Sequence, residues 1–332
     1  MASIDMKRAR SAALHVIAGA ALAACITVSP AAAEWPERPI TIVTCFPAGG
    51  GTDIAMRLMN NQLGEALGKP VIVENRGGAG GNIAAGFVAR SAPDGYTLLG
   101  CSSAFVVNPS LYPNVTYDPF KDYDPVTVIG AAPNVLVVPA QSDIKTFADF
   151  VAKAKANPGK LNYTSSGIGT TAILAAELVK LRLGLNVVHI PYAGAGPATQ
   201  AAVAGLVDMY TANMGSLGAQ IAAGTLRPIA QTGKTRWPEI PNVPTLDELG
   251  VKNAESDTFQ AVLAPAKTPK AIIDRLAAEI KKIVTTPDTK KKYWDSGLDV
   301  LAEGPDTFRA RIKREVAMYK DIIDQAGLKL KQ

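Results

Sequence analysis

"PITIVTCFPAGGGTDIAMRL", residues 39–58, runs from an apolar, β-branched stretch through three consecutive glycines into apolar positions at helical spacing. The first part reads as a buried strand, the glycines as a tight loop, and "MRLMNNQLGEAL" (56–67) as an amphipathic helix closed by Gly68. The unit recurs. "PVIVENR" (70–76) and "NIAAGFVARSA" (82–92) form the next strand and helix, stopped by "PDG", and "YTLLGCSS" (96–103) is a third strand. "NVLVVPA" (134–140), "TFADFVAKAKA" (146–156), "KLNYTSS" (160–166), "TAILAAELVKLRLG" (171–184), "NVVHIPY" (186–192), "PATQAAVAGL" (197–206) and "VDMYTA" (207–212) continue the alternation. Such a pattern predicts an α/β fold in which mostly parallel sheets are flanked by helices.

Two lobes are the economical reading: residues 34–133 joined by 258–332, and residues 134–257. The crossings fall near "APNVLVV" (132–138) and "DTFQAVL" (257–263). "LRPIAQTG" (226–233) is one more strand, and "WPEIPNVPTLDELG" (237–250) reads as a proline-rich surface connection. The tail holds two amphipathic helices, "KAIIDRLAAEIKKIV" (270–284) and "PDTFRARIKREVAMYKDIIDQAG" (305–327).

The chain has 332 residues, 48% apolar and 19% charged, enough for a substantial core. "MASIDMKRAR" followed by "SAALHVIAGAALAACITV" is a basic and then an apolar export signal over 1–33. Cleavage after Ala33 places the mature protein in the periplasm; "LAAC", ending at Cys25, also matches a lipoprotein box and leaves a lipid anchor as the alternative. The formal net charge of +5 drops toward neutrality once Lys7, Arg8 and Arg10 leave with Asp5. No basic block with interleaved aromatics remains, so nucleic acid is not an expected partner. Nothing after residue 33 approaches the roughly 18 apolar residues of a membrane span.

Cys45 and Cys101 each end an apolar run. The simpler expectation is two buried thiols; pairing requires neighbouring strands that bring their Cα atoms within about 7 Å. With His189 as the one mature histidine, they make no ordinary zinc site, and neither metal nor cofactor is expected.

Three loops share one design, an apolar strand, then Gly, Ser, Thr or Ala, then a helix start: "FPAGGGTD" (46–53), "TSSGIGTT" (164–171) and "YAGAGPAT" (192–199). The first four N–H groups of a helix lack internal partners and sit at the positive end of its dipole, so each start can hold an anion. The plainer alternative is that Asp53, Thr170 and Thr199 or their neighbours cap their helices. Three such loops together favour a carboxylate site in a crevice between the lobes. None carries the lysine of a phosphate-binding P-loop. "GIGTTA" (167–172) fits a dinucleotide fingerprint but has no acidic residue about twenty positions on.

"GCSSA" (100–104) is one substitution from a nucleophile elbow, with Ser102 as nucleophile and His189 as base of an exported serine hydrolase. That reading needs a helix directly after the serine, and "SAFVVNPSLYPN" (103–114) is not expected to supply one.

"WPERPITIV", "FPAGGGTD", "GKPVIVENRGGAGGNIAA", "APDGYTLL", "NPSLY", "VHIPYAGAGPA" and "LAPAKTPKAIIDRL" occur in the order and spacing of a known family. From about residue 35 to its end the chain resembles the extracytoplasmic solute receptors of the tripartite tricarboxylate transporter family, often called Bug receptors. The resemblance implies a Venus-flytrap periplasmic binding fold, no catalysis, a monomer, a small organic carboxylate as ligand and membrane transporter subunits as partners. A receptor that reports to a signalling sensor is the alternative within binding proteins. Carried onto this chain, the resemblance assigns Phe46, Gly50, Thr52 and Asp53 of the first loop and Ser166, Gly169, Thr170 and Thr171 of the second to the ligand. Ser102, Ser103, Tyr192, Gly194 and Asn213 would line the same cleft. Cys45 and Ala48 replace prolines common in relatives, and Thr211 and Ala212 stand where many read Phe-Asp, implying a less acidic distal pocket.

Overall fold

The computed structural model describes residues 35–330, apart from 166, 168, 193 and 253. The chain divides into two units, residues 1–37 and 38–332, and the expected export signal lies outside the described residues. Within the second unit, strand β1 (Ile40–Thr44) is an inner strand: it pairs in parallel with its neighbours on both sides, and Ile40, Ile42 and Val43 are fully buried. Burial on both faces is why this strand reads as a continuous apolar run. The expected single helix after it starts earlier and breaks in two, α1 (Gly51–Arg57) and α2 (Asn60–Leu67), the latter closed by Gly68 at φ 73°.

Strand β2 (Val71–Asn75), helix α3 (Asn82–Ala89) and strand β3 (Thr97–Ser102) follow as the alternation predicts. Helix α4 (Ala104–Leu111) does not: it begins two residues after Ser102, although Pro109 lies inside it. Proline cannot donate to the carbonyl four residues back, and Tyr117 supplies the missing donor, its hydroxyl bonding Phe105 O at 2.9 Å.

Strand β4 (Tyr123–Pro139) has 17 residues, of which only the end was expected. Pro125, Gly130 and Pro133 read as breakers in sequence, but register shifts near Pro125 and Gly130 absorb them. Helix α5 (Phe147–Ala156), capped by a Thr146–Asp149 capping box, precedes β5 (Asn162–Ser165), α6 (Thr171–Leu183) and the short β6 (Val188–His189). Helix α7 (Ala195–Val203), strand β7 (Met209–Asn213), helix α8 (Met214–Ala222) and strand β8 (Leu226–Gln231) come next. Beyond them, "WPEIPNVPTLDELG" is not a surface connection in full: Trp237, Ile240, Val243 and Leu246 are buried. The Gln231 side chain ties the segment down, accepting from Trp237 N and donating to Val243 O, both at 2.7 Å.

Strand β9 (Asp257–Pro265), helix α9 (Lys270–Val284), helix α10 (Pro287–Asp295), strand β10 (Asp299–Glu303) and helix α11 (Pro305–Ala326) complete the unit. The order across the sheet is β2-β1-β3-β9-β4-β7-β5-β6, with β8 and β10 also on β4. It is mixed and not mostly parallel. The pairs of β1 with β2 and β3 and of β5 with β6 and β7 are parallel, whereas every pair made by β4 or β9 is antiparallel. The first half of β4 pairs with β9 and β10, and its second half with β7 and β8.

Cys45 and Cys101 are joined in a disulfide, with Cα atoms 5.3 Å apart, and are not two free thiols. They are brought together because β1 and β3 are adjacent and in parallel register through Thr44 and Gly100. Among the described residues no helix is long and apolar enough to cross a membrane.

Candidate functional site

Five helices point their N-termini into one cleft. Its two overlapping chambers, of about 450 and 500 Å³, are lined by the starts of α1 (Gly50, Gly51), α4 (Ser103, Ala104), α6 (Thr170, Thr171), α7 (Gly194, Ala195) and α8 (Asn213, Ser216). Only α8 has a side-chain cap: Asn213 Oδ1 accepts from Ser216 N at 3.0 Å. The N-cap residues Gly50, Ser103, Thr170 and Gly194 make no side-chain cap bond.

Capping by the side chain therefore fails for Thr170 and Thr199, while Asp53, the third residue of α1, reaches back to the backbone just ahead of the N-cap. Thr170 Oγ1 donates to Gly167 O at 2.8 Å, Thr199 Oγ1 bonds Tyr210 Oη at 3.4 Å, and Asp53 faces its own loop. Among the described residues that line the cleft none is charged. The donors available to a solute are thus backbone N–H groups at positive dipole ends together with neutral hydroxyls and amides.

The floor of the cleft is a polar network that the sequence reading missed. Asn134 on β4 donates from Nδ2 to Thr171 Oγ1 at 3.1 Å, and Thr258 on β9 bonds Thr171 Oγ1 at 2.6 Å and Asn134 Oδ1 at 3.3 Å. Gln260, also on β9, accepts from Thr52 Oγ1 at 2.8 Å. Asn134 and Gln260 are buried polar positions within strands, and Thr258 alternates with the buried Phe259. A buried polar group needs a partner or a task, and that was the available signal.

Of the residues assigned from sequence, Phe46, Gly50, Thr52, Ser102, Ser103, Thr170, Thr171, Gly194 and Asn213 line the cleft. Asp53, Gly169 and Tyr192 are not among the lining residues, and Ser166 lies outside the described ones. Asp53 is turned away because its carboxylate holds the loop together. It accepts from Gly49 N at 2.9 Å, Asn75 Nδ2 at 2.9 Å and Arg57 Nε at 2.8 Å. Burial works against its ionisation, but these donors outweigh it and keep the carboxyl below its ordinary range. Gly169 stands where a Cβ would come within 2.9 Å of Asn108 Oδ1 on α4. Thr211 and Ala212, expected to shape the distal pocket, are buried in β7 and do not reach the cleft.

Strand, turn and helix do surround Ser102, contrary to expectation, so the elbow itself exists. The base is elsewhere: His189 Nε2 lies 3.4 Å from Ser165 Oγ, and its ring packs on Tyr163 at 4.8 Å. Burial holds the imidazole below its ordinary range. Ser102 Oγ accepts from Ala104 N at 3.3 Å, and Ser103 Oγ accepts from Phe259 N at 2.8 Å. The Ser102 hydroxyl serves its own turn and that of Ser103 the backbone of β9.

Protein BugT of Bordetella pertussis is 34% identical over 321 residues, covering 96% of this chain and 98% of its own. The structure of R. palustris Rpa4515 with adipate superposes with a TM-score of 0.81 at 32% identity, over 89% of this chain and 99% of that one. MatC (Rpa3494) from Rhodopseudomonas palustris with bound malate gives a TM-score of 0.77 at 28% identity, over 87% and 100%. The α/β fold is that of these periplasmic binding proteins. The model of the tripartite tricarboxylate transporter family receptor matches residues 55–328, and the chain belongs to that family.

Proposed function

We propose that this chain is a periplasmic receptor that captures one small organic carboxylate and delivers it to membrane transporter subunits. Residues 34–133 with 258–332 form one lobe and residues 134–257 the other, and the solute is held where they face each other. The observation that carries this reading is the convergence of five helix N-termini, four of them without a bond from the N-cap side chain, on a cleft whose described wall carries no charge. Each terminus contributes about 0.3–1 kcal/mol toward an anion when exposed and up to about 2 kcal/mol when partly buried. A carboxylate in contact with several of them is held without a cationic side chain. Thr170, Thr171, Ser102 and the Gly50–Gly51 backbone are the proposed contacts. The adipate and malate bound by the two related proteins agree with this ligand class.

The test is thermal unfolding of the protein cut after Ala33, with adipate, malate, citrate, benzoate and glutamate as probes. A solute at a hundred times its Kd adds about 2.7 kcal/mol of stability. The expected result is a shift with at least one of these acids that Thr171→Val abolishes. No shift with any of them at millimolar concentration overturns the reading.

A further inference from the structure

The β1–β3 ladder stops one residue short of the cleft. Its last register pair is Thr44 with Gly100, and Cys45 N bonding Gly100 O at 3.1 Å is its last rung. The next pair in that register is Cys45 and Cys101, and there the disulfide takes over. Both half-cystines adjoin residues that line the cleft: Phe46 to Gly51 follow Cys45, and Ser102 and Ser103 follow Cys101. The first of these segments carries three successive glycines, Gly49 at φ 79° among them, and so has much backbone freedom to lose.

On its other side that segment is tied by Asn75, which donates to Phe46 O at 3.1 Å and to Asp53 Oδ1 at 2.9 Å. The bond itself is closely surrounded. Cys45 is fully buried and Cys101 nearly so, and a Cβ on Gly81 would stand 3.0 Å from that of Cys45.

From this placement we infer that the Cys45–Cys101 disulfide is a positioning clamp for the cleft, fixing the starts of α1 and α4 relative to each other where pairing between β1 and β3 has ended, although β3 stays paired with β9 through Ser102. The proposed binding reading supplies the reason such a clamp matters, since a donor cluster recognises an anion only when its members keep their spacing.

Hydrogen exchange on the ligand-free protein tests the clamp independently of any solute. In Cys45→Ala/Cys101→Ala, amides of residues 48–53 and 102–107 should exchange at least tenfold faster than in the disulfide form. Amides of 172–177 in α6 and 198–203 in α7 should stay within twofold. Unmutated protein, reduced after unfolding and then refolded under a phosphine reductant, should give the same pattern and replaces the variant if that fails to fold. Unchanged exchange at the first two segments overturns the inference. So does a uniform rise across all four, or a failure of both forms to fold, since either makes the bond a general staple. Each of these outcomes leaves the carboxylate reading standing.

Discussion

Gly215→Ala separates closure from stability. Gly215 is the second residue of α8, and a Cβ built on it would sit 2.8 Å from Ser296 O. Opposite, Gly297 at φ 76° comes so near that its own Cβ would fall 2.5 Å from Gly215 Cα. Two backbones touch here, one from the proposed lobe 134–257 and one from the returning segment, so the contact exists only with the lobes together. Alanine in a helix is favoured over glycine by up to about 1 kcal/mol, in the open and closed forms alike. The overlap with Ser296 acts on the closed form alone and, as overpacking, costs about 1–3 kcal/mol. At about 1.4 kcal/mol per tenfold, the solute should bind about 5- to 150-fold more weakly. Calorimetric titration with the acid that gives the largest shift in the thermal screen measures this, while the solute-free Tm should hold or rise. Trp237 and Trp294 stack across the same junction, with ring centroids 4.6 Å apart, so tryptophan emission should report less closure. A Kd within twofold of the unmutated protein refutes the reasoning, and a fallen Tm with unchanged affinity would mean that the contact is permanent.

Removing the Asp53 carboxylate in Asp53→Ala strands Gly49 N, Asn75 and Arg57, and urea unfolding should show a loss of about 2–3 kcal/mol, hydrogen bonds to a charged group being the stronger kind. Tyr117→Phe should cost about 1–3 kcal/mol in the same assay, because Phe105 O beside Pro109 loses its donor. Glu315, bonded to Arg311 Nε at 2.7 Å, is pushed up to about 7 by burial, with repulsion from Asp257 adding and Arg311 opposing. A carboxyl raised on folding contributes stability that is complete below the ordinary glutamate range and is lost as pH rises through about 7. The difference in stability between the unmutated protein and Glu315→Gln should therefore grow on acidification from pH 8 to 5.5, by at most about 1.4 kcal/mol per pH unit. His189, lowered by burial, acts in the opposite direction in both proteins and cancels in that difference. A flat difference across that range would contradict the assignment.

The glycine loops were legible because each sits between a strand and a helix of opposite periodicity. Their convergence with two further helix starts was not, since α8 contains Gly215 and Gly218 and lacks helix propensity, and α4 contains Pro109. Helix α8 starts from its own N-cap, Asn213 Oδ1 accepting from Ser216 N, whereas α4 depends on a tertiary partner, the Tyr117 hydroxyl. The first half of β4 escaped for the same reason, as Gly130 is demanded by β10, whose Asp299 O would lie 2.2 Å from a Cβ there. Asp53 shows a different limit. Its position in the loop was legible, but the direction of its side chain depends on Asn75, which comes from β2, as well as on Arg57 one turn further along α1. Whether Cys45 and Cys101 could pair depended on strand adjacency, which periodicity does not encode.

The absence of charge from the described wall of the cleft bears on how closure couples to capture. A guanidinium could hold a carboxylate bidentately from one lobe alone, and the open form would then bind nearly as well as the closed one. Helix termini divide the work differently. The starts of α1 and α4 come from residues 34–133 and those of α6, α7 and α8 from residues 134–257. A solute seated on one set gains only a few times 0.3–1 kcal/mol, with the rest available once the other set arrives. A ligand shifts an equilibrium by its difference in affinity between the two states, so on the proposed reading spreading weak donors over both lobes makes the contribution of two or three of the five termini conditional on closure. The Asn134–Thr171–Thr258 network suits this arrangement: its members come from β4, α6 and β9, and it places the start of α6 against both strands that run between the proposed lobes.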